Sequence, residues 1–486
     1  MSIKRYNATK DNTITNALKA DLLGRATSSN SGLADVLETY VIYGQASTSS
    51  IEKSRILLQF DTDQMTTDRA SGFLPSAGNV SYYLRLFNAP HGFSVPRGYN
   101  LEILTISGSW EEGNGLDLDE YTDIGPSNWV SASTTTTWVS QGGDYYASPA
   151  YSQSYGIDGT EDLEVDVTTV VEQWLAGTKQ NNGLLIKISG SAESTPTTSL
   201  YTKRFFSRSS EFFFKRPVIE ARYNSAKKDK RANFFYSSSL STAAENLNTI
   251  YFYNYHRGIL RNIPAIGTGN IYVSLFSGST SPTGSVLTLV ADGTNVTAGS
   301  PTVVTGGWVS TGVYSASFAI TAATTPLETI FDVWHNGNLT TQYFTGSIEP
   351  QIITGEYSVN ADSFTTQITN LKPTYTRGQT ERFRVYARPR NWSPTVYTVA
   401  TATPVASIIE SGSYRIYRVI DELDVISYGT GSLQHTALSY DSEGNYFDLD
   451  INLFEAGYSY AIKFSYYNGS IGSYVEQPET FKFRVE

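Results

Sequence analysis

The sequence predicts an all-β protein that contains three antiparallel β-sandwiches in tandem. Apolar and polar residues alternate with period 2 along much of the chain, which is typical of strands with one buried face. Charged residues make up only 17%, while aromatic residues make up 13% and include 34 Tyr. This composition favours strands over helices. A length of 486 residues allows about three domains at roughly 150 residues each.

The first predicted domain spans residues 1–223. Its strand-like runs are bounded by Gly, Asn, Pro or Ser and lie at residues 55–60, 80–87, 183–188 and 217–223. One short helix is predicted at about 168–176, because Thr169 and Glu172 have the spacing of a capping box and Gly177 follows as the C-terminal stop. Its apolar face, which includes Trp174, is expected to seal one end of the sandwich.

Residues 224–233 are predicted to form a linker. The run from Ser225 to Asn233 is polar and basic and has no apolar periodicity. A basic cluster can also bind phosphate, but 35 basic against 46 acidic side chains give the chain a net charge of −11. That overall field opposes a nucleic-acid or anionic-membrane partner, so neither is expected.

The second and third predicted domains span residues 234–350 and 351–486, with a turn-rich boundary at 354–356. Strand-like runs recur at 250–253, 271–276, 313–320, 329–334, 382–388, 414–419 and 458–464. Turn signals such as those at 291–293 and 336–338 separate them. The run from Leu453 to Tyr460 has the pattern of a tyrosine corner, so an immunoglobulin-like sandwich is expected for both domains.

Several kinds of chemistry are disfavoured by what the sequence contains. The chain has no Cys and only four isolated His, which argues against disulfides, thiolate nucleophiles and zinc sites. Neither a nucleophile elbow nor a phosphate-binding loop is present, and no apolar run is long enough for a transmembrane helix. Glu111 and Glu112 are adjacent on an extended stretch, so their carboxylates point to opposite faces and cannot act as a catalytic pair. We therefore expect neither enzymatic activity nor a cofactor.

A long insertion, from Asn114 to Ser148, interrupts the first domain. Its first part is an acidic loop with carboxylates at Asp117, Asp119, Glu120 and Asp123. Oxygen-rich loops of this kind can bind Ca²⁺, but the spacing lacks the central Gly and the distal Glu of an EF-hand. A calcium site and a solvated acidic loop therefore both remain open.

Aromatic residues mark the second part of this insertion. Trp129, Trp138, Tyr145 and Tyr146 are of the types that stack on sugars and that are enriched at protein interfaces. The same residues could instead pack beneath the loop. Because long loops that are rich in aromatic residues are usually functional, we predict that this loop contacts another subunit, with Trp129 and Trp138 as anchors.

Spaced motifs in the first domain carry a family resemblance. They lie at residues 34–38, 54–61, 83–87, 109–113, 165–174, 182–187, 206–207 and 216–219. In this order they resemble the DNRLRE-type β-sandwich of bacterial surface and carbohydrate-active proteins, which is also classed among carbohydrate-binding modules. The resemblance implies a jelly-roll sandwich for the first domain.

The insertion departs from that family. In its detail, at residues 125–129 and 137–144, it is similar to virion structural proteins of tailed bacteriophages, and the two C-terminal sandwiches are similar to phage neck, tail and baseplate domains. The resemblance implies a location in the virion, with other virion proteins and copies of the same chain as partners. Assembly in a reducing cytoplasm agrees with the lack of Cys and with an N-terminus, Met1 to Asn7, that no signal-peptide apolar region follows.

Two functional hypotheses follow from these observations. The first is a non-enzymatic structural component of a phage tail, neck or baseplate that acts through protein–protein interfaces. The alternative is a carbohydrate-binding adhesion or receptor-binding protein of a phage fibre or a bacterial surface, with a cell-surface glycan as its partner.

Overall fold

The computed structural model describes residues 3–91, 98–290, 301–322, 325–353, 363–390, 396, 406–429 and 433–486. The chain divides into two compact units, Ser2–Asn224 and Ser225–Glu486. Strands dominate both units, which confirms the predicted all-β class. The turns predicted at 291–293 and 354–356 lie outside the described residues, so the boundary near 350–360 stays a prediction.

The described residues of the first unit contain ten strands. They are β1 (Ile3–Thr15), β2 (Val36–Tyr43), β3 (Ile51–Phe60), β4 (Val80–Leu86), β5 (Tyr99–Ile106), β6 (Tyr145–Tyr155), β7 (Leu163–Asp166), β8 (Leu184–Ile188), β9 (Leu200–Phe206) and β10 (Val218–Tyr223). Every pairing is antiparallel, in the order β6-β5-β8-β3-β1-β10-β4-β7, with β2 between β3 and β9. β1 connects two layers, because residues 3–7 pair with β10 and residues 8–15 pair with β3.

The central strands of this unit are buried on both faces. Leu58 and Ile186 point into the main core between the layers. Leu57 and Leu185, their neighbours in sequence, point the other way into a second core that includes residues of the insertion. The insertion is therefore a covering layer on the outer face of the sheet, and strands buried on both sides tolerate an uninterrupted apolar run.

Three α-helices accompany these strands in the described part of the unit, α1 (Asp63–Ala70), α2 (Thr168–Leu175) and α3 (Ser191–Ser194). α2 is the predicted helix, and its Trp174 lies in the main core. The predicted capping box is wrong, because residue 167 precedes the helix without any side-chain cap and Glu172 instead binds Arg69 of α1 at 2.6 and 2.7 Å. α1 was not predicted, since Met65 is its one apolar side chain apart from Ala70.

The second unit begins with a six-stranded antiparallel sheet and a short hairpin. Its strands are β11 (Asn248–Tyr253), β12 (Tyr255–His256), β13 (Ile259–Leu260), β14 (Ile271–Ser277), β15 (Val304–Ser310), β16 (Val313–Phe318), β17 (Ile330–His335) and β18 (Gln342–Ile348). The sheet order is β11-β16-β15-β14-β17-β18, and β12 pairs with β13. Phe252, Tyr314 and Trp334 lie at the centre of its core.

The remainder of the second unit forms two further sheets. Its strands are β19 (Phe364–Ile368), β20 (Thr374–Tyr375), β21 (Thr380–Pro389), β22 (Gly412–Arg418), β23 (Asp424–Ile426), β24 (Ser439–Asp441), β25 (Gly444–Asp450), β26 (Ser459–Asn468), β27 (Ser473–Glu476) and β28 (Phe481–Val485). One sheet has the order β19-β21-β25-β24, and the other has the order β20-β28-β26-β22-β23, with β27 on β26. The Tyr460 hydroxyl donates to the Glu455 carbonyl oxygen at 2.9 Å, which is the hydrogen bond of a tyrosine corner.

The basic segment 225–233 is anchored within the second unit and is not a free linker. Lys228 forms a parallel bridge with Tyr440 of β24. Arg231 donates to the buried Asp332 of β17 and to the Tyr251 carbonyl oxygen of β11. The prediction of a linker rested on the loss of apolar periodicity, and backbone hydrogen bonds and buried ion pairs supply the order that this periodicity does not.

Candidate functional site

Trp129 and Trp138 lie inside the first unit. Both side chains are only 5% exposed, and they pack with Leu57 and Leu185 in the second core. The indole Nε1 of Trp138 donates to the Asn128 carbonyl oxygen at 2.9 Å. The expectation that these two tryptophans anchor a contact with another subunit is therefore corrected, since they cover the outer face of their own sheet.

The Arg55 guanidinium extends this packing to the edge of the insertion. It lies 5.2 Å from the Trp129 ring centre and 5.8 Å from the Tyr145 ring centre. It donates to the Glu193 carboxylate at 2.7 and 3.1 Å and to the Gly142 carbonyl oxygen at 2.8 Å. Burial opposes the ionisation of Glu193, but hydrogen bonds and charge from Arg55 hold its pKa below the ordinary value.

Tyr145 and Tyr146 are the two predicted aromatic residues that remain at the surface, 38% and 41% exposed. They begin β6, and the Lys179 ammonium lies 4.5 Å from the Tyr146 ring centre. Tyr145 also lines an open cleft of about 540 Å³ together with Val139 and Gln141. Of the four predicted contact residues, these two are placed where a partner can reach them.

The acidic loop of the insertion uses its carboxylates to order its own backbone. Asp123 accepts from the Leu116 N–H at 2.7 Å, and Asp117 accepts from the Asp119 N–H at 2.8 Å. Within the described residues, no group of three or more His, Cys, Asp or Glu side chains is arranged to hold a metal ion. Calcium binding by Asp117, Asp119, Glu120 and Asp123 therefore stays a prediction.

The two adjacent glutamates, Glu111 and Glu112, bind different partners because their side chains point in opposite directions. Glu111 accepts from the Thr134 N–H at 2.9 Å. Glu112 binds Arg208 at 2.6 Å and accepts from the Asp11 N–H at 2.9 Å. These contacts tie the stretch just before the insertion to the insertion itself, to β1 and to the residues after β9.

A cleft that the sequence analysis missed opens beside β2 in the first unit. Its volume is about 840 Å³, within the usual size range of small-ligand sites. One face of β2 lines it, while the other face carries Leu37 and Val41 into the main core. Further lining residues come from β9 and from the acidic part of the insertion, so three segments that are distant in sequence meet here.

Three tyrosines line this cleft, namely Tyr40, Tyr121 and Tyr201. The Tyr201 ring is 41% exposed and lies 5.8 Å from the buried Tyr40 ring, with an angle of 55° between the two planes. The Tyr40 hydroxyl lies 2.8 Å from the Thr15 hydroxyl. Burial raises the pKa of both Tyr40 and Tyr121, so their hydroxyls stay protonated at neutral pH.

The carboxylates nearest to these rings already have partners. Glu38 forms an ion pair with Arg204 of β9. Burial raises the pKa of Glu38, and the opposing effect of Arg204 does not cancel this. Glu52 accepts from the Leu18 N–H at 2.7 Å, and the Gln45 amide faces the same carboxylate.

The cleft has one weak sequence signal. Glu38 and Tyr40 alternate with core residues along β2, so polar and aromatic side chains share the face that is not in the core. Nothing in the local pattern indicates that Tyr121 and Tyr201 meet this face. Only the pairing of β2 with β9 and the path of the insertion bring them together.

Comparison with known proteins adds little about function. No family model matches the chain, and no curated protein matches it. Similar solved structures include a chimeric tandem of titin Z1Z2 domains, 13% identical over 45% of this chain and 92% of that one, with a TM-score of 0.15. The N-terminal Ig1-2 module of the Drosophila receptor protein tyrosine phosphatase DLAR is 8% identical over 50% of this chain and 91% of its own length, also with a TM-score of 0.15.

A third similar structure is trypsin-activated alpha-2-macroglobulin from Escherichia coli. It is 9% identical over 98% of this chain and 29% of that chain, with a TM-score of 0.15. Scores this low carry no argument about what the chain does. Separately, none of the helices in the described residues is long and apolar enough to cross a membrane.

Proposed function

We propose that this chain is a non-enzymatic structural component of a bacteriophage virion that acts through protein–protein interfaces. The observation that carries the interface part of the proposal is the edge strand β6. It has eleven residues, ends the sheet, and contains no Lys, Arg, Asp or Glu. Exposed edge strands are usually protected by charged side chains, since unpaired N–H and C=O groups attract further strands.

One face of β6 is fixed by the rest of the unit. The Tyr151 hydroxyl accepts from the Val170 N–H at 3.1 Å, and the Gln153 amide donates to the Asp162 carbonyl oxygen at 2.7 Å. Ser152 and Ser154, on the alternate positions, are exposed. β6 is therefore held in an extended form, and its Ser152 and Ser154 side chains face solvent, which suits contact with another copy.

The edge strand β18 of the second unit has the same character. Its seven residues also lack charged side chains, and Phe344 is 38% exposed. An uncharged edge strand in each unit gives the chain two places at which other subunits can bind, as a repeating assembly requires. The virion location is supported by the resemblance of the insertion and of the C-terminal sandwiches to phage proteins.

Sedimentation of the full chain tests the interface. We expect oligomers whose proportion rises with concentration, and we expect Ser152→Lys to shift them toward monomer by placing a charge on the strand. Ser28→Lys, at an exposed loop position, is the matched control and should leave the oligomers unchanged. A chain that is monomeric at all concentrations would contradict pairing between copies.

Mass spectrometry of purified particles tests the location separately. The chain should be present in a fixed ratio to the other structural proteins of the phage that encodes it. Particles that lack the chain would contradict the virion role while leaving the result on the edge strand in place.

A further inference from the structure

We propose that the cleft beside β2 binds residues 211–216 of a second copy of this chain, and that residues 211–216 of this chain enter the cleft of that copy. These residues follow β9 and are called the Phe loop, since three of the six are Phe. The contact is separate from the edge-strand pairing proposed above, because neither β6 nor β18 contributes a residue to the cleft or to the loop.

The cleft is strongly acidic. Its lining includes five carboxylates, from Asp35, Glu38, Glu52, Asp117 and Asp119. Arg204 pairs with Glu38, and no second cationic side chain lines the cleft in the part of the chain that the structure describes. Glu52 accepts from the neutral Leu18 N–H and is faced by the neutral Gln45 amide. The negative charge that Arg204 leaves uncompensated favours a cationic occupant and opposes an anionic one.

The rings in the cleft suit a cation that is carried next to apolar groups. The Tyr201 ring is 41% exposed, and Tyr40 and Tyr121 also line the cleft. The face of an aromatic ring attracts a cation, and the ring also packs against other aromatic side chains. A protein segment in which Lys or Arg stands beside aromatic residues therefore uses both the carboxylates and the rings.

The Phe loop is a segment of this kind. Phe212 and Phe213 are 44% and 40% exposed. The Lys215 ammonium lies 5.7 Å from the Phe212 ring centre, and the Arg216 guanidinium lies 5.4 Å from the Phe213 ring centre. Glu211 is the one acidic residue of the loop, so the two basic side chains leave it with a net positive charge. The loop thus offers exposed rings and cations together, which matches the lining of the cleft.

The Phe loop and the cleft lie next to each other on one face of the first unit. Val36 and Glu38 of β2 both line the cleft. Their partners on β9 are Phe206 and Arg204. Because paired residues of antiparallel strands share a face, the Phe206 ring extends this face beyond the ion pair of Glu38 with Arg204. The Phe212 ring of the loop lies 5.3 Å from the Phe206 ring, measured between ring centres.

This adjacency is the reason to infer a second copy as the occupant. A two-fold axis brings the same surface of two subunits together, so each feature meets whatever lies beside it on the partner. On the face of β2 and β9, an acidic cleft stands beside a basic, aromatic loop. Such a face is complementary to itself, and one two-fold contact would place each loop in the cleft of the other copy. Opposite charges across an interface favour this arrangement over contacts between like patches.

Exchange of the charges tests the contact by sedimentation of the full chain. Every variant carries Ser152→Lys as well, so that pairing through β6 is suppressed. We expect Lys215→Glu and Asp119→Lys each to weaken self-association about tenfold or more, because like charges then oppose each other in both halves of the contact. An equimolar mixture of the two variants should restore the association, since the reversed loop meets the reversed cleft and the native loop meets the native cleft.

Two charge reversals outside this face are the matched controls. Lys482→Glu and Asp158→Lys alter exposed positions and should leave the association at the level of the Ser152→Lys parent. High salt should weaken the association of that parent, because the contact depends on charges near the surface. An unchanged melting curve for each variant separates a lost contact from a lost fold.

Zero-length cross-linking locates the contact directly. A carbodiimide joins a lysine amine to a carboxylate that touches it, and a mixture of ¹⁵N-labelled and unlabelled chains identifies links between copies. We expect mixed-isotope links between Lys215 and Asp117 or Asp119. These links should be absent when Lys215→Glu is introduced into both chains.

Three results would overturn the proposal. They are a Ser152→Lys parent that is monomeric at all concentrations, charge reversals in the loop and the cleft that act no differently from the two controls, and a mixture that fails to restore association. The first result would leave β6 as the interface. Conversely, association that Ser152→Lys does not alter but Lys215→Glu abolishes would support this contact and contradict pairing through β6, so the two proposals fail separately.

Discussion

The insertion 114–148 of the first unit and the basic segment 225–233 of the second unit are both irregular, yet different forces order them. The insertion buries two indole rings against the outer face of a sheet. The basic segment places a guanidinium between two carboxylates, at Asp229 and Asp332, that are almost fully buried. A segment without apolar periodicity can thus be as firmly anchored as one with large apolar side chains.

The two segments also show that residue type alone does not distinguish a functional role from a packing role. The aromatic content of the insertion suggested a surface for a partner, whereas Trp129 and Trp138 complete the protein's own core. The loss of apolar periodicity in the basic segment suggested a linker, whereas Arg231 and Lys228 bind strands of the second unit. Residue type alone indicated neither outcome, because each depends on what the tertiary structure places opposite.

The largest loss of stability is expected from a substitution in the insertion. Trp138→Ala should lower the free energy of unfolding of the first unit by about 3–5 kcal/mol, the range for removing a buried aromatic side chain. Denaturant unfolding of the full chain, monitored by hydrogen exchange in β3 and β8, measures this free energy. Val139→Ala, at the adjacent position and 94% exposed, is the control and should have little effect. Equal stability of the two variants would mean that the insertion does not cover the sheet.

The second-largest loss of stability is expected when the buried guanidinium of the basic segment is removed. Arg231→Ala leaves Asp229 and Asp332 without their shared partner, and breaking a buried ion pair costs about 3 kcal/mol or more. Hydrogen exchange in β11 and β17 should rise, and trypsin should gain access to the bonds after Lys228 and Lys230. Arg261→Ala, at an exposed position in the same unit, is the control. Cleavage of the native parent at these sites would indicate a free linker after all.

The acidity of Asp229 gives a pH-dependent test of the same cluster. Burial raises its pKa from 3.8 to about 6, an effect that Arg231 only partly offsets. Between these values the unfolded chain has lost a proton that the folded chain keeps, so this group makes the fold less stable as the pH rises from about 4 to about 6. Asp229→Asn should therefore gain stability relative to the parent over this window.

Parallel denaturant titrations of Asp229→Asn and the parent measure that difference. Asp441→Asn, which removes a carboxylate that is paired with Arg384 in the same unit, serves as the reference. A stability advantage of Asp229→Asn that falls with rising pH would contradict the prediction, because it would mean that Arg231 dominates and lowers the pKa of Asp229 in the fold.

The smallest loss of stability is expected for a partly exposed ion pair of the basic segment. Lys230→Ala removes an ion pair with Glu410 in which the two side chains are 23% and 45% exposed. Ion pairs in contact with water contribute roughly 0–1 kcal/mol. Lys230→Ala should therefore lower the free energy of unfolding by less than Arg231→Ala does. An equal loss in both variants would erase the distinction between buried and exposed charge within this segment.

The sequence predicted the strands well because their period-2 patterns are local. Residues 55–60, 184–188 and 271–276 all lie in strands, and the tyrosine corner at Tyr460 forms the expected hydrogen bond. Local signals failed where order comes from distant partners. α1 is held by contacts such as Asp68 with the Tyr6 hydroxyl at 2.7 Å, and its own residues give no apolar stripe.

The candidate sites divide in the same way. The sequence by itself determined that the chain is all-β, that it lacks Cys, and that aromatic residues are concentrated near the insertion. Only the tertiary structure decided that Trp129 and Trp138 are core residues while Tyr145, Tyr146 and Tyr201 are exposed. The physical reason is that a strand pattern fixes which side chains share a face, whereas burial of that face depends on which distant segment packs against it.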